Sequence, residues 1–62
     1  MSYENLEAEI RATGDRGENS KPKTIDLLVV SRDLAQRYAH RSAEEILEQL
    51  RAHFQARGLF WS

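Results

Sequence analysis

Cysteine is absent from this 62-residue chain, and proline occurs once, at Pro22. Without cysteine, neither a disulfide nor a thiolate-held zinc ion can staple a fold of this size. The same absence accords with a reducing compartment, so the expected localisation is cytoplasmic. Long hydrophobic runs are missing as well. The longest is Leu27 to Val30, far short of the ~20 residues that cross a bilayer, and no membrane partner is expected. The segment Met1-Ser2-Tyr3-Glu4-Asn5-Leu6-Glu7 is acidic and interrupted, without the basic start and apolar centre of a secretory signal. Glycine is scarce, and Gly14-Asp15-Arg16-Gly17 matches neither the Walker loop nor the dinucleotide fingerprint. No cofactor is expected.

Catalytic and metal-binding patterns are equally thin. Ser31, Ser42, Asp33 and His40 supply the residue types of a serine triad. A triad needs a rigid pocket with an oxyanion hole, which short helices build poorly, and both serines sit where helix caps belong. His40 and His53 show no His-x-x-x-His or Glu-x-x-His spacing on one helix face. The expectation is therefore no enzyme, no catalytic residue and no metal ligand.

What is present is a helix with both ends written into it. Ala43, Ile46, Leu47, Leu50 and Phe54 fall at i, i+3, i+4, i+7 and i+11, one stripe of a 3.6-residue period. Ser42 and Glu45 form a capping box, and Arg57 and Gly58 close the other end, which predicts a helix over 42–57. Glu44, Glu48, Arg51 and Gln55 lie opposite the stripe and read as a solvated face, with Glu48 and Arg51 close enough to pair.

The rest of the chain divides around residues 13–23. Ser2 to Ala12 predicts a short helix, with Ser2 as its cap, Tyr3, Leu6 and Ile10 on one side, and a Glu7–Arg11 pair. Thr13 to Lys23 holds two glycines and the proline but no large apolar residue, the composition of a flexible linker. Residues 1–23 thus read as an acidic arm and linker, and 24–62 as a compact helical unit. Within that unit, 24–30 suits either a strand or a helix. The strand reading puts Ile25, Leu27 and Val29 on one side and makes Ser31 the cap of a helix over 31–40. The helical reading puts Leu27, Val30, Leu34 and Tyr38 on one seam, beside Ser31 and Ala35.

A chain this short buries only about 60% of its unfolded surface, so a monomer is marginal. The stripe of Ile46, Leu47, Leu50 and Phe54 is accordingly the expected oligomer interface, in a mainly α homodimer or higher oligomer. Leu59, Phe60 and Trp61 follow Gly58. Leu59 or Phe60 can fold back on Phe54 to close the helix, while Phe60 and Trp61 are the candidate anchors for a partner. A small regulatory or adaptor protein acting by protein–protein binding is the expected function, its partner unidentified.

The alternative is nucleic acid. Net charge is −1, but residues 21–62 carry seven Lys and Arg against five acids. With a strand over 24–30, a helix from Ser31 and a helix from Ser42, residues 24–62 resemble ribbon-helix-helix repressors. Arg41-Ser42-Ala43-Glu44-Glu45-Ile46 looks like the start of that family's second helix. The resemblance implies a dimeric repressor whose paired strands enter the DNA major groove. Lys21, Lys23, Arg32, Arg37 and Arg41 are then the candidate phosphate contacts. Asp26 and Leu28 on the strand depart from that pattern.

Overall fold

The computed structural model describes residues 5–62 and holds three helices: α1 (Leu6–Ser20), α2 (Leu27–Arg37) and α3 (Ala43–Ala56). The expected capping role of Ser2 and the place of Tyr3 lie outside the described residues. Both α1 and α2 pack on α3. The fold is therefore helical, and α3 is its central element.

The linker predicted over 13–23 is instead mostly helix, since α1 continues to Ser20. Its buried residues are Leu6, Ile10, Thr13, Gly14 and Gly17, at i, i+4, i+7, i+8 and i+11. The stripe does not stop at Ala12; it changes from large residues to small ones. Small residues let two helix backbones approach, and a Cβ on Gly14 would stand 2.7 Å from both Arg57 Nη1 and His53 Nε2. The buried Thr13 hydroxyl donates to the Glu9 carbonyl at 2.8 Å, so its burial leaves no orphan group. The helix ends where Lys21 takes the extended conformation that a following proline favours.

Residues 27–30 are helical, which resolves the strand–helix ambiguity. The helix begins four residues before Ser31, because Asp26 caps it: Asp26 Oδ1 accepts from Leu28 N at 3.1 Å and Val29 N at 3.4 Å. Ser31 is not a cap. It is fully buried in α2 and donates from Oγ to the Leu28 carbonyl at 2.8 Å. Leu27 and Leu34 are buried, with Val30, Ala35 and Tyr38 packed beside them, the seam of the helical reading. The ribbon-helix-helix order needs a strand over 24–30, and this helix takes its place. Only Ile25 pairs there, in an isolated parallel bridge to Trp61.

Helix α3 matches its sequence signals closely. Ser42 Oγ accepts from Glu45 N at 3.1 Å, and Ser42 N donates to Glu45 Oε1 at 3.2 Å, completing the capping box. At the other end Gly58 takes φ 70°, and Leu59 N donates to the Phe54 carbonyl at 2.8 Å. Ile46, Leu50 and Phe54 are 0% exposed within a single chain. They cannot also form the surface seam of an oligomer, and Leu47 is partly buried beside them. Their partners are Leu6 and Ile10 of α1, Leu27 and Leu34 of α2, and Leu59. The small-residue half of α1 and the helical start of α2 supply the covering that the stripe requires.

Candidate functional site

The segment after α3 runs alongside residues 24–25. Ser62 N donates to the Ile25 carbonyl at 3.0 Å, and the Thr24 and Ser62 hydroxyls hydrogen-bond. An extended segment points successive side chains to opposite sides. Leu59 is accordingly 4% exposed and Phe60 82% exposed. Trp61 turns inward again, half-buried, with its ring edge-on to Phe54 at a centroid distance of 6.3 Å and an interplanar angle of 89°. The two candidate anchors therefore separate. Trp61 packs on the core, and Phe60 alone projects. Of the two residues expected to close the helix, Leu59 does so and Phe60 does not.

Phe60 and Leu59 share a groove of about 340 Å³ with Lys21, Pro22, Lys23 and Thr24, floored in part by Gly17. Two separately predicted groups thus converge, because the tail pairs with the connection between α1 and α2. Lys21 and Lys23 are exposed, and neither ammonium is held in an ion pair among the described residues. An exposed aromatic ring thus shares one groove with two lysines. Such a groove can seat an apolar side chain flanked by carboxylates.

The other candidate phosphate contacts do not join this groove. Arg32 and Arg37 lie on α2, and Arg41 lies in the turn before α3. Arg37 pairs with Glu9 at 3.4 Å and Asp33 at 3.5 Å, so much of its charge is already balanced. Its guanidinium carbon also stands 5.9 Å from the centroid of the Tyr38 ring. Glu9, rather than the expected Glu7, supplies the ion pair of the first half of α1. The expected Glu48–Arg51 pair is present at 3.5 Å.

A second cluster of charges locks α1 to α3. Arg57 donates from Nη1 to Asp15 Oδ1 at 3.0 Å and from Nη2 to Glu18 Oε1. The Asp15 hydrogen bond, followed by Glu18, raises the Arg57 guanidinium above its ordinary pKa, against a partial desolvation that lowers it. Asp15 and Glu18 sit one turn apart on α1, so one forked side chain reaches both. This arrangement is a structural clamp with its charges satisfied, and it leaves no reactive group exposed.

Along the outer side of α3 a further groove, about 420 Å³, is lined by Ser42, Glu44, Glu45, Leu47, Glu48 and Arg51. Sequence reasoning reads this side as a solvated face. Its signal is Leu47, which belongs to the apolar stripe yet lies at its edge and remains partly exposed. Among the described residues, no group of three or more His, Cys, Asp or Glu side chains converges as a metal site requires. No described helix is long and apolar enough to cross a membrane. No family model, curated protein or solved structure matches this chain.

Proposed function

We propose that this chain is a small, non-enzymatic regulatory or adaptor protein of the cytoplasm that acts by protein–protein binding. The observation that carries the reading is the projection of Phe60 in a groove it shares with Lys21 and Lys23, neither of which is ion-paired among the described residues. An exposed large aromatic costs solubility and contributes nothing to this core. Aromatic side chains are also the residues that concentrate binding energy in interfaces. The partner that fits is a protein surface with an apolar recess bordered by carboxylates. Electrostatic complementarity then sets encounter rate and orientation, while Phe60 supplies the anchor.

The test uses a helical peptide of Glu, Leu and Ala, titrated into isotopically labelled protein. Residues 21–24 and 59–61 should shift, and Phe60→Ala should weaken binding by ~2 kcal/mol or more while leaving the melting temperature almost unchanged. If duplex DNA bound at low salt instead, with a steep salt slope, a nucleic-acid function would replace this reading.

A further inference from the structure

We infer that the partner of the Phe60 groove is a second copy of this chain, engaged head-to-tail through the acidic groove on α3. The inference rests on the binding reading above and names its partner. The two grooves are complementary in charge and form. One is lined by Phe60 together with Lys21 and Lys23, two positive charges without an ion-pair partner among the described residues. The other has a partly apolar floor at Leu47 and carries Glu44, Glu45 and Glu48 against Arg51 alone, an excess of two negative charges. Glu45 is occupied by its cap, and Glu48 leans toward Arg51 at 3.5 Å while its side chain remains 76% exposed. The Glu44 carboxylate has no hydrogen bond or ion pair among the described residues. In the docked pair Phe60 enters the recess over Leu47, and Lys21 and Lys23 meet Glu44 and Glu48.

The positions of the grooves dictate the kind of assembly. The acidic groove runs along α3 from Ser42 to Arg51, and Phe60, which follows that helix in the chain, lines the other groove. Leu47 lies nine residues, about 14 Å, before the end of α3, and Phe60 lines a separate groove with the α1–α2 connection, so the two patches are distinct on one molecule. A contact between two different patches is heterologous, and it leaves one free patch at each end of every complex. Association should therefore continue beyond a dimer as concentration rises. Each contact is small, so it should be weak and sensitive to salt.

Sedimentation velocity over micromolar to millimolar protein, at low salt and at ~0.5 M salt, reads the association directly. The wild type should grow heavier with concentration at low salt and return toward 7.2 kDa at high salt. Lys21→Glu/Lys23→Glu and Glu44→Lys/Glu48→Lys should each weaken self-association at least ~tenfold, a change of ~1.4 kcal/mol, with unchanged circular dichroism. Mixing the two variants should restore association, because each then meets a patch of opposite charge. A wild type that stays monomeric throughout overturns the inference. So does association that neither charge reversal weakens, or that mixing fails to restore. If the protein stays monomeric but still binds the Glu-Leu-Ala peptide at Phe60, only the choice of partner is wrong. If it binds neither, the binding reading fails with it.

Discussion

Gly17 and Phe54 meet at a distance that leaves no room for a methyl group. A Cβ on Gly17 would stand 2.7 Å from Phe54 Cε2 and 3.0 Å from Cζ. Phe54 is fully buried, and its ring is hemmed in by Trp61 on another side. Gly17→Ala therefore sets two effects against each other. Replacing a mid-helix glycine gains ~1 kcal/mol in helix propensity. Overpacking a filled core costs ~1–3 kcal/mol. The second should win, and the melting temperature should fall by several degrees. Gly14→Ala is the control, since its new methyl would meet only the ends of the flexible Arg57 and His53 side chains, which can shift at the cost of loosening the exposed Arg57–Asp15 pair. Its loss should be smaller. A Gly17→Ala variant that melts higher than the wild type would contradict the close packing of α1 on α3.

The start of α2 can be located by two substitutions. Asp26→Ala removes the acceptor for two first-turn amides and should lose ~0.5–2 kcal/mol. Ser31→Ala removes only a hydroxyl that bonds back within the helix, so the change should be close to neutral. The opposite ranking in chemical denaturation would mean that the helix begins at Ser31 after all.

These two sites also mark how far the sequence is legible. Helix α3 is readable to within a residue, because its caps and its large apolar stripe are all encoded locally. Helix α1 beyond Ala12 is not, because Gly14 and Gly17 carry the same letters whether they loosen a linker or admit a neighbouring helix. Only the presence of Phe54 across the gap decides between them. The first turn of α2 is hidden for a related reason: Asp26 sits in a short apolar run that also suits a strand. Once both segments are helical, the stripe on α3 has its cover inside one chain, and the expected seam of Ile46, Leu50 and Phe54 disappears into the core. At the candidate site, Phe60 and the two lysines are each visible in sequence. Their meeting depends on the pairing of Ile25 with Trp61, which joins residues far apart in the chain.

Leu50 separates a core role from an interface role. It is 0% exposed, so Leu50→Ala should cost ~2–5 kcal/mol through the cavity it leaves. The loss should be the same at low and high protein concentration, because no second chain contributes to that packing. At ~0.5 M salt, a deficit relative to the wild type that shrinks as concentration rises would restore the seam to the surface.

The Arg57 clamp should govern α1 selectively. Arg57→Met keeps the stem that packs along the helices and removes the fork that reaches Asp15 and Glu18. Hydrogen exchange should quicken in the second half of α1, around Thr13 to Ser20, and change little in α2. Uniform loss of protection across all three helices would mean that the three unfold as one unit and that the clamp has no local function.

The last pair of substitutions divides the tail. Leu59 is 4% exposed and belongs to the core cluster, whereas its neighbour Phe60 is 82% exposed. Leu59→Ala should therefore cost ~2–5 kcal/mol of stability. Phe60→Ala, a surface change, should stay within ~0.5 kcal/mol of the wild type. Trp61 supplies the probe for both, since it lies half-buried against Phe54 and its emission should shift to the red on unfolding. Iodide should quench it partially in the native protein and fully in the unfolded one. A Phe60→Ala variant that unfolds as readily as Leu59→Ala would show that the ring supports the fold, and the case for Phe60 as a binding anchor would be lost.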